Sequence, residues 1–333
     1  MEKEFDVFGI GSPLIDIFIE TEDHQLIEFE LKKGQMHLID HAKFEDMKKK
    51  LTQKPVKTSV AGDVVNTMMG VAAMGGRSVF LGKVGKDEYA GMFEEILLSD
   101  KIKPHLAKCD KYYTGQVISF VTKDAERTMT VHLGAAVGLK KEEASFDDIK
   151  KSKFLYTSAY VLDSPDLKET VMHAFEIAKK NNVKIAFDLA DPGAISRHMD
   201  EIKLILNDYV DVVFANETEA EKYTGEKNPE NALKKLSETC EISIVKIGEN
   251  GSLIKKGHQI IHHKIKKEKA IDTTGAGDLY ASGFIFGLTK TNDLEICAKI
   301  ASHSSGKIVQ QFGAKLQIPI TDEVEAILEA KKE

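Results

Sequence analysis

Arginine is the scarcest charged residue in this sequence, occurring only as Arg77, Arg127 and Arg197. Planar, two-pronged recognition of phosphate is therefore in short supply, and any one of the three that reaches a site matters there. Cysteine is equally rare: Cys109, Cys240 and Cys297 form no CxxC pair and leave an odd count. Neither a disulfide framework nor a zinc site follows from them, and a reducing, cytoplasmic compartment fits best. No apolar run approaches the roughly 18 residues that a membrane span needs, and Met1 to Phe5 lacks the layout of a secretion signal. No membrane partner is expected. Positive charge does not dominate either, since the formal net charge is -7, which argues against a nucleic-acid partner. What remains is ordinary for a soluble enzyme, 42% hydrophobic and 30% charged over 333 residues, enough for one large core with a smaller appendage.

The C-terminal two thirds alternate strand and helix. Ser164-Pro165 opens a helix whose apolar Leu167, Val171, Ala174, Phe175 and Ala178 keep helical spacing up to Asn181-Asn182. Strands are predicted over 183–189, 210–215 and 242–247, helices over 194–206, 217–223 and 230–238, and two short strands follow an Asn250-Gly251 turn. Such alternation implies a largely parallel sheet with helices on both faces. The N-terminal part differs: after a strand at 5–10, strand-rich insertions at about 14–39 and 109–133 interrupt the pattern and can pair as a small separate sheet. Between them 64–74 reads as a helix of small residues ended by Gly75-Gly76, and Lys48-Lys49-Lys50 as a solvated helix end.

The most informative segment is Asp272-Thr273-Thr274-Gly275-Ala276-Gly277-Asp278, followed at once by an apolar run. Small residues at a helix start let backbone N–H groups face a ligand where the dipole favours negative charge. Asp278 is the odd member, because a carboxylate in an anion cradle repels the ligand unless it holds or removes a proton beside it. A phosphoryl-transfer base does that. The plainer reading makes Thr274 and Asp278 helix caps. Gly9-Ile10-Gly11-Ser12-Pro13 fails as a dinucleotide fingerprint, since Pro13 sits where the helix should open, and no Walker A motif exists. Asn216 and Glu219 follow one predicted strand and Lys246 to Gly251 end the next, so with 272–278 they converge at the carboxyl edge where open α/β sheets bind ligands. Asp16 alternates with Ile15 and Ile17, and with Gly62 and Asn66 it offers a carboxylate, free backbone and an amide suited to vicinal hydroxyls. His258, His262 and His263 read as surface or packing residues, and Met68, Met69 and Met74 as core.

These segments resemble the PfkB family of carbohydrate and nucleoside kinases. The resemblance implies a ribokinase-like fold, a three-layer α/β/α domain with a mostly parallel sheet, plus a small β-sheet lid. It makes 14–39 and 109–133 the lid, and 1–13, 40–108 and 134–333 the large ATP- and substrate-binding domain. It identifies 272–278 with the C-terminal signature, making Asp278 the catalytic base and Gly275, Ala276 and Gly277 the anion hole. Asn216 and Glu219 are similar to the Asn-x-x-Glu motif for Mg²⁺ and phosphate, with the ion held near Glu219 through water. Lys246, Gly248 and Gly251 are similar to the ATP loop, and Asp16, Gly62 and Asn66 to the sugar-hydroxyl ligands, while Arg127 would reach the phosphates from the lid. Gly11 to Ile17, the inserted 31–36 with Gln35 as a further substrate ligand, and 126–136 are similar to the adenosine kinase branch. Ala61-Gly62 stands where the family usually has Gly-Gly, and Asp63 adds an acid near the sugar site. The implied activity is ATP-dependent, Mg²⁺-assisted phosphorylation of the primary 5′-hydroxyl of adenosine or a related ribonucleoside by a cytoplasmic monomer or homodimer. A monovalent cation sits behind the cradle in some relatives. A free-sugar kinase of ribokinase or fructokinase type is the enzyme alternative, and a non-catalytic ligand sensor the other.

Overall fold

The computed structural model describes residues 3–51, 55–124, 126–265 and 269–330. Its larger sheet has nine strands in the order β14 (Gln259–His263), β13 (Ser252–Lys256), β12 (Ile242–Lys246), β11 (Val212–Asn216), β10 (Lys184–Asp188), β9 (Ser152–Ser158), β1 (Phe5–Ile10), β5 (Ser78–Gly85) and β6 (Lys103–Cys109). Every pairing from β12 to β6 is parallel, and only the β12–β13–β14 edge turns antiparallel. The central strands are apolar almost end to end because both faces are covered. Helices Asp63–Ala73, Glu88–Ser99, Ala276–Lys290 and Leu294–Ile308 close one face. Pro165–Lys180, Pro192–Asp208, Glu217–Thr224 and Pro229–Leu236 close the other. This is the three-layer α/β/α arrangement implied by the sequence. Met68, Met69 and Met74 are buried in the first of the two cores, and Lys48 to Lys50 form the last turn of helix His41–Lys50. Among the described residues no helix is long and apolar enough to cross a membrane.

A second sheet of five strands runs β3 (Met36–Leu38), β8 (Arg127–His132), β7 (Gly115–Val121), β2 (Leu14–Glu20) and β4 (Lys57–Ala61). Both expected insertions contribute to it. A third segment joins them, since β4 pairs antiparallel with β2 along the sheet edge. Its sequence, Lys-Thr-Ser-Val-Ala, is largely exposed and lacks apolar alternation, so no strand signal marked it. The small sheet grows from the carboxyl end of the large one, where β1 passes through Gly11-Ser12-Pro13 into β2. Helices Asp63–Ala73 and Ala276–Lys290 meet closely at Gly70, where a side chain would strike Ser282 and, at 2.8 Å, Leu279. That approach brings two helix starts together near the small sheet.

Candidate active site

The loop before helix Ala276–Lys290 is shaped by Asp272. Its Oδ1 accepts from Thr274 N at 2.9 Å and Thr274 Oγ1 at 2.7 Å, and its Oδ2 accepts from Gly313 N at 2.9 Å. Burial works against the ionised form, yet these donors, Gly313 first, hold the carboxyl below its usual range. Gly275 then turns the chain with φ 77°, and a Cβ there would lie 2.6 Å from that of Ala314. Only glycine fits. The turn closes through Ala276 N donating to Thr273 O at 3.1 Å. Gly277 follows it in the first helical turn, where backbone N–H groups have no acceptor within the helix.

Asp278 stands one residue further on. Asn66 Nδ2 donates to its Oδ2 at 2.8 Å and Thr67 Oγ1 to its carbonyl at 3.3 Å, so helix Asp63–Ala73 orients it across 212 positions of sequence. Burial first, and then the charge of Asp63, push its carboxyl up to about 8 against the pull of Asn66 and Lys246. A helix-start carboxylate serving the dipole has an ordinary or lowered pKa. This one is built to hold a proton near neutrality.

A cavity of about 1280 Å³ opens beside it, lined by Asp278, Gly277 and Ala276 and by Asn216, Glu219, Lys246, Gly248 and Gly251. The three loops expected at the carboxyl edge thus converge there. Asp188, at the end of β10, was not expected: its Oδ2 lies 3.0 Å from Lys246 Nζ, and with Glu219 it holds the lysine above its usual pKa despite burial. Glu219, 3% exposed, forms a reciprocal cap with Asn216. Its Oε1 accepts from Asn216 Nδ2 at 2.6 Å and its Oε2 from Asn216 N at 2.7 Å. Burial pushes it up to about 7. With both oxygens engaged, direct ligation of Mg²⁺ would break the cap, whereas contact through waters, which this ion retains, fits.

The residues expected at the sugar lie on or beside the small sheet. Asp16, 6% exposed, sits between β7 and β4 rather than at an edge and is paired with Arg127. Ser119 Oγ donates to Asp16 Oδ1 at 2.6 Å and accepts from Arg127 Nε at 2.9 Å, while Arg127 Nη1 reaches Thr274 Oγ1 at 3.1 Å. Burial outweighs the guanidinium and keeps the Asp16 carboxyl above its usual value. Asp16, expected at the sugar hydroxyls, and Arg127, expected at the phosphates, are therefore partners within the small sheet. Ala125, two residues before Arg127, lies outside the described residues. Gly62, with φ 118°, caps helix Asp63–Ala73 and accepts from Asn66 N at 2.8 Å. Gln35 is not brought to the cradle: it is exposed on the lid, where its carbonyl accepts from Met129 N at 3.0 Å.

The comparisons with known proteins agree with this geometry. The model of the pfkB family carbohydrate kinases matches residues 33–321. Adenosine kinase from Sinorhizobium meliloti superposes with a TM-score of 0.89 at 31% identity, over 97% of this chain and 99% of that one. A probable sugar kinase from Rhizobium etli CFN 42 has a TM-score of 0.89 at 30% identity, over 97% and 98%. The 5-dehydro-2-deoxygluconokinase of Bacillus subtilis is 25% identical over 341 residues, 99% of this chain and 98% of its own length. Motif, fold and family model coincide: the chain belongs to the pfkB family of carbohydrate kinases.

Proposed function

We propose that this kinase transfers the γ-phosphoryl group of ATP to the primary 5′-hydroxyl of adenosine or a related ribonucleoside. The observation that carries the reading is Asp278, a carboxylate inside an anion cradle, oriented by Asn66 and pushed up to about 8. In this role it takes the hydroxyl proton as the oxygen attacks phosphorus, while Gly277 N–H and the Ala276–Lys290 helix start receive the charge growing on the transferred group. Asp16 and Asn66 hold ribose hydroxyls, and Arg127 turns from Asp16 to phosphate once substrate takes its place. Lys246, Gly248 and Gly251 face the nucleotide. Magnesium, when bound, neutralises phosphate charge from a position near Glu219. Lid closure keeps water from accepting the phosphoryl group.

The nucleoside is favoured by the likeness to the Sinorhizobium adenosine kinase. A free-sugar acceptor is the second reading, favoured by the equal TM-score of the Rhizobium sugar kinase. A coupled ATP-turnover screen across nucleosides and free sugars decides between them. Turnover confined to free sugars would overturn the nucleoside assignment, and no turnover with Asp278 intact would overturn the kinase mechanism.

A further inference from the structure

Among the described residues that line the cleft, Asp63 is an acid with no duty assigned above. It opens helix Asp63–Ala73 directly after Gly62 and lines the same cavity as Asp278 and Asp188. A helix-start carboxylate ordinarily faces water or spends both oxygens on amides. Here Oδ2 is shut off from solvent and meets no donor. One turn along, Asn66 is 7% exposed, and because its Nδ2 is spent on Asp278, its Oδ1 is left unpartnered as well. Two buried acceptors therefore flank the catalytic carboxylate, and each costs free energy until a donor arrives. The cation at this end, Lys246, is already bonded to Asp188, so it does not offset Asp63. Burial raises the Asp63 carboxyl above its ordinary value against the pull of the Ser158 hydroxyl and the Val64 amide, with the charge of Asp188 adding to the rise.

Resting on the kinase reading above, we infer that Asp63 is a specificity-determining residue that admits acceptors presenting neutral hydroxyls and rejects those carrying a carboxylate or phosphate next to the reacting end. A hydroxyl brings the proton that Asp63 Oδ2 and Asn66 Oδ1 lack. An anionic group brings only further acceptors and a like charge beside Asp63, where Lys246 is already bonded to Asp188, and discrimination by such unpaired groups exceeds what shape alone provides.

The test uses matched acceptors that share a free primary hydroxyl: adenosine with adenosine 3′-monophosphate, and ribose with ribose 3-phosphate. kcat/KM is measured for wild type, Asp63→Asn and Asp63→Ser, with folding checked by circular dichroism and Kd ratios from equilibrium dialysis where turnover is too small. Wild type should prefer the neutral member of its working pair by at least about 100-fold, and both variants should narrow that ratio by about tenfold or more, chiefly through KM. A ratio unchanged within about threefold in both variants, or a wild type that prefers the anion, overturns the inference. Activity confined to the ribose pair with the ratio narrowing as stated supports it while removing the nucleoside assignment, so the two can fail separately.

Discussion

Replacing Asp278 by Asn distinguishes a catalytic base from a helix-start acid through two effects of opposite sign. Asn keeps the shape and can still meet Asn66, but it cannot accept a proton. If Asp278 is the base, turnover falls by about 10² to 10⁴-fold with substrate affinity little changed. The stability effect follows from linkage. The folded carboxyl is pushed from 3.8 up to about 8, so the folded state binds the proton more tightly than the unfolded chain does. The stability this supplies is complete below the unfolded value near 4 and is lost as pH rises toward 8. The loss runs at about 1.4 kcal/mol per pH unit across that window. Asn has no such titration, so the variant's melting temperature should overtake that of wild type as pH rises, with the gap levelling off above about pH 8. In the same wild-type enzyme, kcat/KM should drop about tenfold per unit as pH falls below about 8, since it reports the ionised base of the free enzyme. Differential scanning fluorimetry and a coupled assay from pH 5.5 to 9 provide both readouts. A variant that is less stable at every pH and keeps near-normal turnover would mean that Asp278 serves the helix and not the reaction.

Arg127→Ala should lower kcat about tenfold or more and Arg127→Lys only in part, because lysine keeps the charge without the planar fork; unchanged kcat at saturating ATP removes Arg127 from the reaction. Asp16→Ala should weaken a ribonucleoside by about 2 to 3 kcal/mol and its 2′-deoxy analogue much less, and equal losses for the two would show that Asp16 does not read the ribose hydroxyls. Gly275→Ala, at φ 77° and against Ala314, should cost about 1 to 3 kcal/mol in urea unfolding; a neutral result would contradict the packing described. Glu219→Gln should raise the free Mg²⁺ needed for half-maximal activity, whereas an unaltered magnesium curve would leave Glu219 as the Asn216 cap alone.

The strands and helices that could be read along the chain were those whose own spacing carries the signal. Pro165–Lys180 shows its apolar stripe, its Ser164 cap and its proline start in sequence. Lys57–Ala61 shows none of these, because an exposed edge strand is defined by the neighbour it pairs with. The same distinction runs through the site. Asp278 announces itself by chemistry out of keeping with its loop. Asp188 does not, since nothing around it in sequence points to Lys246, 58 residues away. The Arg127–Asp16 pair spans 111 residues, and only the register of β2, β7 and β8 sets the two side chains together. The turn bond from Ala276 N to Thr273 O is likewise invisible in residue type.

The position of β1 has a consequence for how the chain is made. This first strand lies inside the sheet, between β5 and β9, and Thr157 Oγ1 closes onto Ile10 O only after 147 further residues. During synthesis one edge of β1 waits, apolar and unpaired, until β9 has emerged, which is the kind of exposed edge that chaperones cover and that otherwise aggregates. Non-local pairing of this order also slows folding itself. The wait for Asp278 is longer still, because its helix must dock on one translated some two hundred positions earlier. A nascent chain that stops short of residue 276 has every strand of both sheets yet lacks Asp278. Refolding from urea should therefore restore sheet-derived circular dichroism before turnover, with the lag between them measuring the docking of helix Ala276–Lys290.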